Sequence, residues 1–197
     1  MPRRARHISY GTIQHVISRF IDREWRFIDQ NDRVAYLEYI SQLAPRTDWS
    51  FLAFSLMSSH EHWALISGSF PFGKIFRSMH TSFGTRWQKK NKQLGHVFAN
   101  RPRNFEVAPQ SLLKLIAYLH MNPVRAGVVK CPKDSPWTSH RQYLRIDPPM
   151  PWLDVEYALS LLGFEDTQSG RSQFNTAVHE LDASKPLTLP PKCGPVT

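Results

Sequence analysis

Cysteine is scarce in this 197-residue sequence, which holds only Cys131 and Cys193, far apart along the chain. This usage excludes a disulfide framework and argues against a cysteine-based metal site. No run approaches the roughly twenty apolar residues that a membrane-spanning helix needs. The opening stretch, MPRRARHISYG, also lacks the apolar segment of a signal peptide. We therefore expect no membrane partner and a cytoplasmic location.

Acidic residues are also in short supply: 16 Asp and Glu against 25 Lys and Arg leave a net charge of +9. A helix predicted over residues 72 to 91 carries its apolar residues on one side and its cations on the other. Such a helix can pack on a sheet and offer cations to phosphate groups, although a solvated basic face has the same pattern. The charge predicts a nucleic-acid partner and a nucleoid-associated protein. The cations that we assign to DNA contact are Arg3, Arg4, Arg6, Lys74, Arg77, Arg86, Lys89, Lys90, Arg101, Arg103 and Arg125.

The order of predicted elements is β-α-β-β-α-β, followed by a further helix. The strands are predicted over residues 12 to 20, 49 to 57, 60 to 67 and 104 to 108, and the helices over 29 to 43, 72 to 91 and 109 to 121. This order predicts an α+β fold with an antiparallel sheet and helices packed on one face. We divide the chain into a domain over residues 1 to 147, a short helical extension over 148 to 184, and a disordered proline-rich tail over 185 to 197.

The first informative motif is His60-Glu61-His62, which begins the second strand of a predicted hairpin. Successive strand residues point to opposite faces, so His60 and His62 share one face, where two imidazole nitrogens can bind one cation. Glu61 points to the other face. A histidine pair at this spacing also arises by chance, so a structural or surface role remains open.

The second motif lies in the segment YLHMNPVRAGVV (118 to 129). We expect its helix to end at Asn122, because the residue before a proline avoids the α region. Tyr118 and Asn122 are four residues apart and therefore lie on one helical face, one turn apart. If His60 and His62 bind a cation, Asn122 becomes the third ligand and Tyr118 a nucleophile beside it. The alternative is that Tyr118 is a core residue and Asn122 a helix cap.

YLHMNPVRAGVV and the PWTSHRQYL that follows it are the most distinctive stretches of the chain. Four other stretches belong to the same pattern: IQHVISR (13 to 19), MSSHEHWAL (57 to 65), KIFRSMHTSFGTRWQKKN (74 to 91) and GHVF (95 to 98). Together these stretches resemble the single-tyrosine transposases of the HUH nuclease superfamily, in particular the REP-associated tyrosine transposases. The resemblance covers about residues 3 to 145.

This resemblance implies a ferredoxin-like sheet and a tyrosine nuclease that acts on single-stranded or hairpin DNA. By position, His60, His62 and Asn122 would bind Mg²⁺ or Mn²⁺, and Tyr118 would attack a DNA phosphodiester. The products would be a covalent 5′-phosphotyrosine and a free 3′-OH, in a metal-assisted transesterification. Both monomers and homodimers that exchange the tyrosine helix occur among relatives, so the oligomeric state is open.

Two stretches depart from the pattern of those relatives. Glu61 stands where a bulky apolar residue is usual, and residues 99 to 104 replace a Gly-Arg-Phe-Lys-like stretch. A carboxylate on the covered side of a sheet is costly unless it is paired. Glu61 therefore reaches solvent or an arginine, or it marks a relaxed site. The altered 99-to-104 stretch bears on substrate contacts more than on the chemistry.

Several further side chains have more than one interpretation. Arg125, just past the tyrosine helix, would either contact phosphate or fix the turn by binding backbone carbonyls. His15, His80 and His96 have no partner visible in the sequence, and we interpret each as structural or as a DNA contact rather than a metal ligand. Trp137 is expected to pack the C-terminal segment onto the core.

Three classes of function fit these observations: a transposase-like nuclease, a domesticated DNA-binding protein that has kept the fold without turnover, and a general basic protein. The third would leave the two motifs and their order unexplained. The complete set of His60, His62, Tyr118 and Asn122 favours the nuclease, whereas Glu61 and the altered stretch over residues 99 to 104 favour decay. The nuclease hypothesis predicts DNA cleavage that is lost in EDTA and in Tyr118→Phe.

Overall fold

A computed structural model describes residues 8–181, and its centre is one four-stranded antiparallel sheet with the strand order β2-β3-β1-β4. The strands are β1 (Ile13–Arg19), β2 (Ser50–Met57), β3 (His60–Ile66) and β4 (Arg103–Val107). Helix α1 (Gln30–Leu43) joins β1 to β2, and helix α2 (Phe72–Asn91) joins β3 to β4. This arrangement confirms the predicted α+β fold and its ferredoxin-like sheet.

Helices cover both faces of the sheet. Helices α1 and α2 pack over the face that carries Trp63, as predicted. Helix α3 (Leu112–Arg125) packs against the opposite face, which carries Ala64, whereas the order of elements had predicted helices on one face. The reason is that β1, β2 and β3 are buried almost continuously along their length, so both of their faces need an apolar cover.

The sequence explains why helices α1 and α2 form where they do. Helix α1 begins with a capping box, in which Asp29 Oδ1 accepts from the backbone N–H of Asp32 and Asp32 Oδ2 accepts from that of Asp29. Helix α2 is amphipathic, and its inward residues are the apolar set expected from the sequence. They are Ile75, Phe76, Met79, Phe83 and Trp87.

Helix α3 continues past the point where the sequence predicted its end. Asn122 and Pro123 are both helical, and the helix ends at Arg125. Backbone hydrogen bonds close it, from Gly127 N–H to Val124 O at 2.9 Å and from Val128 N–H to Pro123 O at 2.9 Å. This is a Schellman motif, and Gly127 supplies the left-handed residue with φ of 69°. The prediction of an end at Asn122 was wrong because this glycine, rather than the proline, stops the helix.

Three further helices follow: α4 (His140–Tyr143), α5 (Val155–Leu161) and α6 (Gln168–Glu180). Helix α6 packs on α3 through an apolar cluster that includes Phe174 and Val178. Trp137 is half-buried against the main core, and its carbonyl accepts from Leu56 N–H at 2.8 Å, which confirms its predicted packing role. The predicted tail from residue 185 lies outside the described residues.

A chain of buried hydrogen bonds crosses the interface between the sheet, α3 and α6. Ser139 Oγ accepts from Phe54 N–H at 3.0 Å and lies 2.8 Å from His120 Nε2. His120 Nδ1 lies 3.1 Å from His140 Nδ1, and His140 Nε2 lies 3.1 Å from Asn175 Oδ1. One set of neutral tautomers satisfies every hydrogen bond in this chain. In it, His140 Nε2–H donates to Asn175 Oδ1 and His120 Nδ1–H donates to His140 Nδ1. The Ser139 hydroxyl then donates to His120 Nε2. This chain fastens α3 to the C-terminal helices.

Within residues 8–181, the longest helices are too polar to cross a membrane.

Candidate active site

The candidate site lies on the face of the sheet that α3 covers. In the register of β1 and β3, Arg19 pairs with His60, Ile17 with His62, and His15 with Ala64. Directly opposed residues share a face, so His60, His62, His15 and Arg19 all lie on it. The imidazole rings of His60 and His62 are 4.9 Å apart between centroids. The two histidines therefore share a face, as the sequence indicated.

Helix α3 brings Tyr118 against these histidines. Its ring meets His62 edge-on, with centroids 5.5 Å apart, and meets His15 edge-on at 5.9 Å. Asn122 follows one turn later, about 6 Å along the helix axis, on the same side of the helix. The helix begins a few residues after β4, whose Val107 pairs with Ile13 of β1.

The histidine nitrogens differ in their partners. His62 Nδ1 lies 2.9 Å from His15 Nε2, and His60 Nδ1 lies 3.0 Å from Ser59 Oγ. Neither contact uses the Nε2 atom of His60 or of His62. Among the described residues, Asn122 Nδ2 is buried without a partner, and rotation of the amide exchanges its nitrogen and oxygen. Two imidazole nitrogens outside these contacts and one unpaired amide thus fit the predicted ligand set.

The imidazoles are held in the neutral form that metal binding requires. Burial, assisted by the charge of Arg19, lowers the pKa of His60 to about 4. Burial lowers the pKa of His15 to about 4. The pKa of His62 lies well below its usual value, first because of burial and then because of His15 and His60. At neutral pH each ring therefore carries one proton and one lone pair.

His, Cys, Asp and Glu side chains do not complete a metal site by themselves. Within the described part of the chain, no group of three or more such residues is placed to hold an ion. A divalent ion at His60 and His62 would therefore need an oxygen ligand of another type, and the Asn122 amide is the one on the adjacent turn of α3. Two imidazoles and one amide leave coordination positions open for phosphate oxygens and water, which suits Mn²⁺ at least as well as Mg²⁺.

Three arginines from different elements surround this face. The guanidinium of Arg125 lies over the Tyr118 ring, 5.2 Å from its centroid. Arg19 opposes His60, and Arg103 opposes Ile17, which places both on the site face. All three are exposed. Arg125 was given two possible roles from the sequence; the turn is closed by backbone bonds, and the arginine lies on the tyrosine instead.

The other predicted DNA contacts lie elsewhere. The cations of α2 lie across the sheet from Tyr118, and five of them are exposed: Lys74, Arg77, Arg86, Lys89 and Lys90. Lys90 is engaged in ion pairs with Asp29 and Asp32, at 2.7 and 2.6 Å. Arg101 is exposed just before β4, and Arg3, Arg4 and Arg6 lie outside the described residues.

An open groove follows part of α2 on this far side. It has a volume of about 500 Å³ and combines cations with hydroxyl groups. Its lining consists of Tyr39, Ser82, Thr85, Arg86, Lys89 and Lys90. The structure thus divides the basic residues between two surfaces, one around Tyr118 and one on α2.

Glu61 is fully buried on the α2 side of the sheet. The sequence had led us to expect that Glu61 reaches solvent or an arginine, or marks a relaxed site. Among the described residues it contacts neither solvent nor an arginine, and its Oε1 lies 3.2 Å from His80 Nε2. The Glu61 charge also contributes, after burial, to a pKa of Tyr36 well above the usual value for tyrosine. His80 is therefore the structural partner of this carboxylate.

Sequence reasoning missed two residues of the site, His15 and Arg19. Both lie in IQHVISR at alternate positions, so the strand period places them on one face with Ile17 between them. That signal was readable. The sequence did not show that β1 pairs with β3. This pairing places His15 and Arg19 next to His62 and His60.

Comparison with known proteins gives a fold relationship. No protein-family model matches the chain, and no curated protein matches it by sequence. A solved REP-associated tyrosine transposase bound to a REP hairpin superposes with a TM-score of 0.59 at 19% identity, covering 79% of this chain and 93% of that one. A proposed transposase of Deinococcus radiodurans R1 aligns with a TM-score of 0.42 at 10% identity over 64% of this chain and 98% of that one. The first similarity shows that the chain has the fold of a REP-associated tyrosine transposase.

Proposed function

We propose that the protein is a transposase-like DNA nuclease and strand transferase that acts on single-stranded or hairpin DNA through Tyr118. The observation that carries this proposal is the placement of Tyr118 edge-on to His62, whose ring lies next to that of His60, and one turn before Asn122. Tyr118 on the helix thus contacts His62 on a strand that lies far from it in the sequence, and this contact supports the proposal. The fold relationship to a tyrosine transposase bound to a REP hairpin supports the same class of reaction.

In the proposed reaction the Tyr118 oxygen attacks a backbone phosphorus. An O–P bond to tyrosine forms, the bond from phosphorus to the 3′ oxygen breaks, and the phenol proton is balanced by protonation of the departing 3′-OH. The product is a 5′-phosphotyrosine. Because this bond conserves the ester, attack by another 3′-OH reverses the step and joins strands without a further energy source. Transfer of a strand therefore needs no residue beyond those used for cleavage.

His60, His62 and Asn122 would hold a Mg²⁺ or Mn²⁺ ion. When bound, such an ion supplies charge stabilisation to the phosphate oxygens during displacement. The chain contributes the neutral state of the two imidazoles, because burial keeps the pKa of His60 near 4 and that of His62 still further below its usual value. It also contributes the position of Asn122 on the same helix as the nucleophile.

The arginines of the site face would position the DNA backbone. Arg125 lies over the Tyr118 ring, and Arg19 opposes His60, so both flank the proposed position of the scissile phosphate. Arginine offers several N–H donors in a planar group that matches phosphate oxygens. These contacts would fix the strand without reading its sequence. The cations of α2 would bind a more distant part of the same DNA.

The test is incubation of the protein with labelled single-stranded hairpin DNA and Mn²⁺ or Mg²⁺, followed by a denaturing gel and peptide mass analysis. We expect a protein–DNA adduct at Tyr118 that EDTA prevents. Tyr118→Phe should give no adduct. Tyr10→Phe is the matched control, because Tyr10 is 75% exposed and away from the site, and it should leave adduct formation unchanged.

Two outcomes would contradict the covalent scheme. Cleavage that persists in Tyr118→Phe would point to an activated water as the nucleophile. Binding without any adduct across varied hairpins would favour a domesticated DNA-binding protein. In that case the tyrosine and histidines would be retained for DNA contact or for folding alone.

A further inference from the structure

We infer that His15 is a positioning residue that sets the tautomer and the ring orientation of His62. The inference rests on the proposed metal site, in which His62 is a ligand. Its basis is the 2.9 Å contact between His15 Nε2 and His62 Nδ1, both inside the protein. The ring centroids are 5.1 Å apart and the planes differ by 24°, so the rings lie edge to edge with the hydrogen bond close to both ring planes.

The contact has only two possible directions for neutral rings. If His62 Nδ1–H donates to His15 Nε2, then His62 Nε2 carries the lone pair and can bind a metal. If His15 Nε2–H donates instead, His62 must carry its proton on Nε2, and that nitrogen cannot act as a ligand. Metal-binding histidines generally donate their second N–H to a neighbouring acceptor, which raises their basicity and fixes the ring. His15 is placed to be that acceptor.

Two observations separate this role from that of a third metal ligand. Within residues 8–181, no group of three histidines or acidic side chains is arranged to hold an ion. The His15 nitrogen that faces the site is the one already committed to His62. Its other nitrogen, Nδ1, is buried and has no hydrogen-bond partner among the described residues.

That unpaired nitrogen is itself informative. In the proposed direction the proton of His15 lies on Nδ1, so this N–H is buried without a partner among the described residues, and such an unmet donor is typical of functional sites rather than of optimised cores. Ile17, the next residue of β1 on the same face, shows that an apolar side chain is compatible with this surface. A histidine at position 15 is therefore explained better by its contact with His62 than by packing.

A pair of substitutions separates the hydrogen bond from the ring. His15→Phe keeps an aromatic ring in place and removes the acceptor, whereas His15→Gln keeps an acceptor near the position of Nε2. We expect Mn²⁺ binding, measured by calorimetry without DNA, to weaken about 10- to 100-fold in His15→Phe and to recover at least in part in His15→Gln. Ser18→Ala is the control, since Ser18 is buried in the same strand on the opposite face and its hydroxyl has no partner among the described residues.

A second readout needs neither metal nor activity. Long-range proton–nitrogen NMR correlations report which ring nitrogen of His62 carries the proton. We expect the Nδ1–H form in the wild-type protein and in His15→Gln, and a shift toward the Nε2–H form in His15→Phe. Urea unfolding of each variant accompanies both measurements, so that a loss of folding is recognised as such.

The outcomes distinguish this inference from the proposed function. If Mn²⁺ binds the wild-type protein, is lost in His60→Ala and His62→Ala, and is unchanged in His15→Phe, the metal site stands and the role of His15 is wrong. An Nε2–H form of His62 in the wild-type protein also overturns it. If the wild-type protein does not bind Mn²⁺ at all, the metal-dependent function fails and this inference fails with it.

Discussion

His80 Nε2 lies 3.2 Å from Glu61 Oε1, on the opposite side of β3 from the candidate active site. The carboxylate is fully buried, and its second oxygen has no partner among the described residues. His80 in turn stacks on Phe98 with ring centroids 3.6 Å apart. The residue between the two candidate metal ligands is thereby linked to the basic helix α2.

Removal of His80 should destabilise the fold. In His80→Leu the Glu61 carboxylate loses its partner inside the protein, and breaking a buried pair in this way costs about 3 to 5 kcal/mol. The free energy of unfolding in urea measures the loss. The double variant Glu61→Leu/His80→Leu should recover most of it, because no buried charge is left. A double variant as unstable as His80→Leu would show that ring packing, rather than the pair, is responsible.

Removal of the Asn122 amide should impair the metal site while leaving the fold intact. Asn122→Ala is expected to weaken Mn²⁺ binding and Mn²⁺-dependent cleavage by at least about tenfold, whereas Asn122→Asp retains an oxygen ligand and keeps more of both. Lys114→Ala, on the exposed side of the same helix, is the control. Equal metal affinity in Asn122→Ala and the wild-type protein would remove Asn122 from the ligand set.

The site-face arginines should each contribute one phosphate contact. Arg19→Ala is expected to weaken binding of single-stranded DNA and to reduce the slope of log affinity against log salt by about 0.7. Arg46→Ala, an exposed arginine after α1, should leave the slope unchanged. A slope that is unaffected by Arg19→Ala and lowered by Arg86→Ala would place the DNA on the α2 surface instead.

Stability should fall as the pH drops below neutrality. Burial lowers the pKa of His140 to about 4 in the folded protein, against 6.5 in the unfolded chain. Between these values the unfolded chain binds more protons, so the stabilisation is complete above pH 6.5 and is lost as the pH falls toward 4. Each unit of pKa difference corresponds to about 1.36 kcal/mol, so His140 alone contributes about 3 kcal/mol to the loss of unfolding free energy.

Urea unfolding at pH 7.5 and pH 4.5 measures the effect. His140→Gln has no titrating ring, so the difference between its two unfolding free energies should be smaller than in the wild-type protein. An equal difference in both proteins would mean that the other buried histidines account for the acid sensitivity.

The tyrosine and the histidines should act within one chain. Helix α3 is held between the sheet and α6, and an exchange of α3 alone would break the hydrogen bonds that join His120 to Ser139 and His140. A mixture of Tyr118→Phe and His60→Ala proteins should therefore remain inactive. Recovery of cleavage in the mixture, together with a dimer mass in gel filtration, would instead require an exchanged tyrosine helix.

The parts of the fold that were predictable from the sequence have local causes. A period of two residues fixed the shared face of His60 and His62, and a spacing of four placed Tyr118 and Asn122 on one side of a helix. The order of strands and helices followed from the same periodicities. Tyr118 and His62, one from each motif, then contact each other because α3 packs on the histidine face.

The parts that were not predictable depend on contacts between distant segments. His15 and Arg19 join the site only because β1 lies beside β3, and His80 reaches Glu61 only because α2 packs over that face. The end of α3 depended on Gly127 adopting a positive φ rather than on the proline before it. Periodicity carries no information on which strands are neighbours.

The link between His120 and the last helix has a practical meaning for anyone who wishes to shorten this protein. His120 is fully buried, with its ring centroid 5.9 Å from that of Phe174. A chain ended at residue 147 would leave this imidazole and the apolar side of α3 facing water, only two residues from Tyr118. The smallest fragment worth producing therefore retains α6, and a fusion partner belongs after residue 181.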